Sequence, residues 1–494
     1  MISVLHFRFG KGSNRMALPN TTYGIEGLEA RIKSVEGVWF LGIGGISMSA
    51  LAEMTLSKGY KVGGADKVDN KRLERLRQMG AEIEIGEREM IPKGYGLVVY
   101  TVAIGEKNLQ YVYAKNVGIP CVSRADYLGW LMKDYQTRIG IAGMHGKSTC
   151  TAMCAGIFMR AGDPTVLAGA ELPMLGGDSC RIGKGKETVL FEACEYMDSF
   201  LRFHPNIAVV LNIGMDHVDY FKDMEQIRSS FQSYADRVKD GRLLWNLDDP
   251  ESRIAFGGRE RAKTFSTDDP TADFFAEDIR IGGGQINFKV REKGGATYPI
   301  KIRAVGRHNI YNTLAATGAA RLAGITPETI AKAMTRFQGA ARRMEYKGRI
   351  KGCPIYDDYA HHPDEIKATV AGARTLIPKG GRLVCVYQPH TYSRTAGLFE
   401  SFAGAFREAD EVMFTDIYAA RETNESGVSA EALARAVFER GTKASYTGDL
   451  KETAEIIPGR LKSNDLLLIM GAGDVGKILK KLPIQGDKNG KEKT

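Results

Sequence analysis

The chain reads as an α/β protein of three domains, each built on a mostly parallel sheet: Rossmann-like at the N-terminus, P-loop ATPase-like in the centre and Rossmann-like again at the C-terminus. Three observations predict this. Its 494 residues exceed what one core organises and, at about 150 residues per domain, imply three. Short apolar runs alternate with amphipathic stretches, the βαβ pattern of a parallel sheet. Several of those runs stop at a glycine turn or a polar residue, and open α/β sheets hold their ligands outside the carboxyl ends of their strands.

The expected boundaries are an N-terminal extension at 1–36, a first domain at 37–136, a central domain at 137–342, a third at 343–483 and a polar, disordered tail at 484–494 that carries Lys488, Lys491 and Lys493. Hydrophobic content of 43% and charged content of 26% are ordinary for a globular protein. No apolar run reaches the roughly 18 residues of a membrane helix, and Met1 to Arg15 lacks the pattern of a signal peptide. The seven cysteines are scattered without a Cys-x-x-Cys pair, so neither a disulfide framework nor a zinc knuckle is indicated. A cytoplasmic protein without a membrane partner is expected. The formal charge of +9 is small for this length, and no basic stripe interleaved with aromatics indicates nucleic acid.

In the first domain, Val38-Trp39-Phe40-Leu41 leads through Gly42-Ile43-Gly44-Gly45-Ile46-Ser47 into a helix-like stretch from Met48. A second strand, Lys61 to Ala65, ends at Asp66, about 20 residues on as a dinucleotide fingerprint expects. A nicotinamide site is one reading. Against it, Ser47 stands where the third glycine belongs and Gly45 is extra, which points to a different diphosphate such as that of a UDP-sugar.

The central domain opens on an apolar strand, Thr137 to Ala142, running into Gly143-Met144-His145-Gly146-Lys147-Ser148-Thr149. Small residues let backbone N–H groups converge on an anion at a helix start, Lys147 supplies a cation and the Ser148 hydroxyl a ligand for Mg²⁺. The usual loop has a further glycine where this chain has Ile141. A solvated lysine on a glycine turn is the competing reading. Two more strands end on polar residues, Val189-Leu190-Phe191 on Glu192 and Ile207 to Leu211 on Asn212. Glu192 offers a hard oxygen, with Glu195 nearby as a second carboxylate or merely an acidic turn. His217, between Asp216 and Asp219, suits a metal or phosphoryl group. Asn309 and Asn312 share a helical face and suit either a purine edge or N-capping.

In the third domain, Arg342-Arg343 suits a transferring phosphate. Asp357-Asp358-Tyr359-Ala360-His361-His362-Pro363 is a dense polar loop stopped at a helix start, better suited to substrate or nucleotide contact than to metal. The strands Leu383 to Tyr387 and Leu466 to Met470 follow the parallel pattern. His390 and Arg394 suit a carboxylate.

Taken in order, Gly42-x-Gly44-Gly45, Gly143-x-x-Gly146-Lys147-Ser148, Glu192-Ala-Cys-Glu195, Asn212-x-x-x-Asp216-His217, Gly306-Arg-His308-Asn309-x-x-Asn312, Arg342-Arg343, Asp357-Asp-Tyr-Ala-His361-His362-Pro and Gln388-Pro-His390-x-Tyr-x-Arg394 resemble the Mur ligases over about residues 37 to 480. The resemblance implies an ATP-dependent amide-forming enzyme of peptidoglycan precursor synthesis that uses ATP, Mg²⁺, UDP-N-acetylmuramate and L-alanine as a monomer or homodimer. By likeness, Lys147, Glu192, His217 and Arg343 are catalytic, and Ser148, Glu192 and His217 hold metal. Gly143 to Thr149, Asn309, Asn312, Arg343 and Asp358 contact ATP. Gly44, Gly45, Ser47, Asp66, Tyr359, His361, His390 and Arg394 contact the other substrates. Cys194 replaces a common acidic residue, Ser148 a common threonine, and Thr391 the arginine that some members carry after the histidine. A Mur-type ligase with another acceptor, such as one recycling a muropeptide, is the near alternative; a nicotinamide oxidoreductase is the distant one.

Overall fold

Strand Gly37–Leu41 is buried at every position, as the centre of a sheet covered on both faces should be. In the computed structural model, which describes residues 18–217, 220–238, 242–420 and 422–485, it is the middle of a five-stranded, wholly parallel sheet. The order runs Glu82–Ile85, Lys61–Asp66, Gly37–Leu41, Leu97–Tyr100, Cys121–Ser123. Most of the expected tail, and Asp219, lie outside the described residues. Gly63 and Gly64 are where the strand pair needs space: a Cβ on Gly64 would stand 2.4 Å from the Phe40 carbonyl, and one on Gly63 2.6 Å from the Trp39 ring. Residues ahead of Gly37 pack into the same unit. Leu18 is buried, Pro19 accepts from the Tyr100 hydroxyl at 2.6 Å, and the buried Asp126 carboxylate accepts from the N–H groups of Tyr23 and Gly24 at the start of helix Gly24–Ile32.

The chain divides into two compact units, and the first takes in Tyr196–His204 from the middle of the 137–342 segment. Met197 and Asp198 adopt left-handed backbone there, with φ 55° and 53°. Phe200 and Phe203 are fully buried, and Asn20 donates to the Met197 carbonyl at 2.8 Å and to the Ser199 hydroxyl at 3.1 Å.

The second unit holds two sheets. One has ten strands in the order Thr297–Ile302, Gln285–Glu292, Phe274–Gly282, Lys263–Ser266, Leu243–Asn246, Ile207–Val210, Thr137–Ala142, Thr188–Glu192, Thr165–Leu172, Asp178–Arg181. Its inner strands are parallel, and antiparallel pairs finish both edges. The other has six, in the order Glu345–Ile350, Cys353–Asp358, Leu466–Met470, Leu383–Tyr387, Glu411–Phe414, Lys443–Tyr446, parallel except for the first pair. Each sheet is covered by helices whose apolar faces build its core. Three domains on mostly parallel sheets are therefore what the chain forms. Among the described residues no helix is long and apolar enough to cross a membrane.

Candidate active site

The central strand Thr137–Ala142 ends at Gly143, and helix Lys147–Ala161 begins four residues later. Gly143 and Gly146 have φ 139° and 87°, conformations that L side chains rarely adopt. No side chain caps the helix, so its first N–H groups point into the loop unclaimed by a cap. The helix His308–Leu322 closes in from one side: a Cβ on Gly146 would stand 2.4 Å from Asn312 Oδ1. Asn212 fastens the other side, accepting from the His145 N–H at 2.9 Å and donating to the His145 carbonyl at 3.1 Å.

Lys147 Nζ lies over its own loop, donating to the Gly143 and Met144 carbonyls and to both oxygens of Glu195 at 3.2 and 3.1 Å. Burial works against its charge, yet Glu195, backed by Cys194 and Glu192, holds the ammonium above its ordinary value. The Ser148 hydroxyl donates to Glu192 Oε2 at 3.1 Å, and the Gly169 N–H donates to Oε1 at 2.5 Å. Burial lifts Glu192 above the usual carboxylate range. Glu195 moves the other way, because Lys147 and His217 outweigh the effect of its burial. His217 Nε2 is 3.5 Å from Glu195 Oε1, and its backbone is left-handed with φ 51°. One lysine, one hydroxyl, two carboxylates and one imidazole thus adjoin at the carboxyl ends of neighbouring strands. A loop bent at two glycines, with no room for a Cβ at Gly146, a helix start and a cation fit a polyphosphate, and the oxygen set of Ser148 and Glu192 fits Mg²⁺.

From the third domain, Asp216 meets Arg394 at 3.4 Å, and Arg394 Nη1 is 3.4 Å from His390 Nδ1. Burial opposes the Asp216 charge, but His217 and Arg394 bring its pKa down to about 2. His390 stacks on Tyr418 with ring centroids 5.5 Å apart, and burial lowers it to about 4, so it is a neutral base. Thr391, at φ 65°, caps the short helix that carries Arg394.

A second connection runs through Glu365. Its carboxylate is 3.2 Å from His145 Nδ1, 3.1 Å from His361 Nδ1 and 3.8 Å from Arg343 Nη1. It also accepts the His361 N–H at 3.1 Å, and His362 and Glu365 form a capping box at the start of helix Pro363–Arg374. Arg343 stands over the Tyr359 ring, 5.4 Å from its centroid.

Several residues sit in roles that the sequence reading did not give them. Asn309 and Asn312 lie inside the helix, not at its cap. Asn309 donates to the Val305 carbonyl at 2.7 Å and Asn312 donates to Asn309 at 3.1 Å, so the pair spends those donors internally and braces Gly146. Asp358 is buried and accepts from the N–H groups of Met344 and Ala360 and from Thr369 at 2.7, 2.8 and 3.2 Å, which sets the turn it begins. Arg342 is structural, donating to the Gly471 and Gly473 carbonyls. In the first unit, Asp66 accepts from the Gly44 N–H at 2.8 Å, and a Cβ on Gly44 would meet Asn70 at 2.6 Å; Gly45 and Ser47 are exposed at the start of helix Ile46–Ser57. Glu195, left open in the sequence between a second carboxylate and an acidic turn, pairs with Lys147, and Glu365 is the residue that sequence reasoning passed over. For Glu365 a signal existed: it is the third helical residue after a capping position.

Known proteins resemble this chain along most of its length. Three family models match in chain order: Mur ligase family, catalytic domain, over residues 38–136; Mur ligase middle domain over 141–320; and Mur ligase, glutamate ligase domain, over 342–473. The UDP-N-acetylmuramate--L-alanine ligase of Caldanaerobacter subterraneus subsp. tengcongensis is 40% identical over 454 residues, covering 91% of this chain and 98% of its own. That of Clostridium botulinum strain Eklund 17B is 41% identical over 453 residues, covering 91% and 97%. The crystal structure of UDP-N-acetylmuramate-alanine ligase from Thermotoga maritima superposes with TM-score 0.75 at 25% identity, over 90% of this chain and 97% of that one. A murein peptide ligase from Psychrobacter arcticus shares the fold, with TM-score 0.66 at 22% identity over 90% and 98%. With all three models matched in order over sheets that carry the motifs, the chain belongs to the Mur ligase family.

Proposed function

We propose that this protein is a cytoplasmic ligase of peptidoglycan precursor synthesis that joins L-alanine to the lactyl carboxylate of UDP-N-acetylmuramate with hydrolysis of ATP to ADP and phosphate. The observation that carries the reading is the cluster of Lys147, Ser148, Glu192, Glu195 and His217 around one phosphate loop. Relatives about 40% identical and named for this reaction support the choice of substrates.

A carboxylate is a poor acylating group because its leaving oxide is too basic. The lactyl carboxylate therefore takes the γ-phosphoryl group, and the alanine amine then attacks the acyl carbon and expels inorganic phosphate. Little covalent work falls to the protein; its task is positioning and charge neutralisation. The loop N–H groups and Lys147 hold the β- and γ-phosphates, and Arg343 meets the transferred group from the third domain. Ser148, Glu192 and His217 hold Mg²⁺, which when bound neutralises phosphate charge. Glu195, which accepts from Lys147 and adjoins His217, would hold the ammonium and the imidazole in place around the phosphate site. His390 and Arg394 take the carboxylate of alanine, with Tyr359 and His361 beside them. Gly44, Gly45, Ser47 and Asp66 face the UDP end of the muramate, which assigns 37–136 to the nucleotide sugar, 137–342 to ATP and 343–483 to the amino acid.

The test is acceptor-dependent ADP release. ADP should form only when UDP-N-acetylmuramate, L-alanine and Mg²⁺ are all present, with one amide made per ADP by mass spectrometry. Glycine, L-serine and a stem tripeptide offered in competition should lose to L-alanine. ADP release without amide, or preference for the tripeptide, rejects the substrate assignment.

A further inference from the structure

One buried imidazole nitrogen of the phosphate loop, Nε2 of His145, has no hydrogen-bond partner, and the ring of His362 stands next to it. Orphaned buried polar atoms are uncommon and call for an explanation. The two rings lie 5.2 Å apart between centroids, tilted by 48°. Asp364 joins them, and one ligand atom from each of His145, His362 and Asp364 falls within 4.8 Å of the others. We propose that these three residues form a second metal site, apart from Glu192 and His217, that takes a borderline divalent transition-metal ion such as Zn²⁺.

The chemistry of the donors supports that ion. Two imidazoles and one carboxylate, with remaining positions open to water, are a common protein ligand set for Zn²⁺, whereas Mg²⁺ sites are built mainly of oxygen and a nitrogen-rich set disfavours it. His145 carries the outer partner expected of a metal-binding histidine. Its Nδ1 faces the Glu365 carboxylate at 3.2 Å, so a proton held at Nδ1 leaves the Nε2 lone pair available. His362 is 6% exposed; with its proton on Nε2, its Nδ1, which accepts the Asp364 N–H at 3.3 Å at the helix start, is the nitrogen it would turn to the ion. That nitrogen stands 3.7 Å from Asp364 Oδ2, near the roughly 3.3 Å between two ligands of a tetrahedral ion at ordinary Zn–N and Zn–O lengths. Asp364, with its side chain 59% exposed, is the open side through which an ion enters. Lys367, at 3.0 Å from Asp364 Oδ1, is the cation it would displace.

The full-length protein, stripped with chelator and dialysed against Zn²⁺ without Mg²⁺ or nucleotide, tests the site by metal content. One Zn²⁺ per chain should remain. His362→Asn, which keeps a residue able to cap the helix, and Asp364→Asn should each weaken binding roughly ten- to a hundredfold. Melting curves of both variants establish that they fold. His217→Asn should retain the ion, which separates this site from the one assigned to Mg²⁺. No retained Zn²⁺ in the wild type, equal retention in His362→Asn and Asp364→Asn, or loss in His217→Asn overturns the proposal. Because the readout is metal without substrate, none of these outcomes bears on the ligase activity.

Discussion

Glu195 shows how a single carboxylate can be central and still hard to read in a sequence. It bonds Lys147 across 48 positions and adjoins His217, yet locally it is one acid in a short polar turn. No periodicity reports such a pairing, because the partners meet only when two strands of one sheet end side by side. Glu195→Gln should keep the fold and lower kcat/KM for ATP by about 10²-fold, through loss of the charge that orients Lys147. Steady-state kinetics beside a melting curve checks both halves. Asp357 offers a test of a different kind. It is 2% exposed, and burial, against the pull of Arg342, raises it from 3.8 to about 6. A raised acid contributes stability that is whole below its ordinary value and lost as pH climbs through the folded one. Relative to Asp357→Asn, the wild type should therefore lose about 2 kcal/mol between pH 4 and pH 7, read as a shift in urea midpoints.

At the scale of elements, the sequence was most readable where physics acts locally. The glycine turn after Ala142, the helix beginning at Lys147 and the proline that opens helix Pro363–Arg374 all follow from neighbouring residues. The packing of one element on another did not. Asn309 and Asn312 read as either a purine-facing pair or N-caps, and nothing in their neighbours told that their helix is pressed against the loop, with Asn312 directly beside Gly146. Gly146→Ala tests that contact. The added methyl meets both a left-handed backbone, φ 87°, and the Asn312 oxygen, and the combined strain should cost about 1–3 kcal/mol. ATP-dependent amide formation should fall more than tenfold. Removing the oxygen as well, in Gly146→Ala with Asn312→Ala, should recover part of the stability but none of the activity. Thermal melts of the two variants decide whether clash or backbone dominates.

At the scale of the whole molecule, three domains were legible from length and from strands ending at polar residues, and the joint order of motifs carried the family. The path of the chain between units was not legible. Tyr196–His204 sits between two strands of the ten-stranded sheet in sequence but packs with residues 18–134. Its apolar residues, Phe200 and Phe203, look from the sequence like any core positions of the central domain. A fragment ending at Asp134 should therefore melt well below the intact protein and bind a hydrophobic dye, and a peptide spanning 193–206 added in trans should raise its melting temperature. The same detour bears on how such a gene can be rearranged. Recombination at Asp134 would hand the upstream piece to a new host without the nine residues that finish its core, so a working chimera has to exchange two separate stretches of sequence at once.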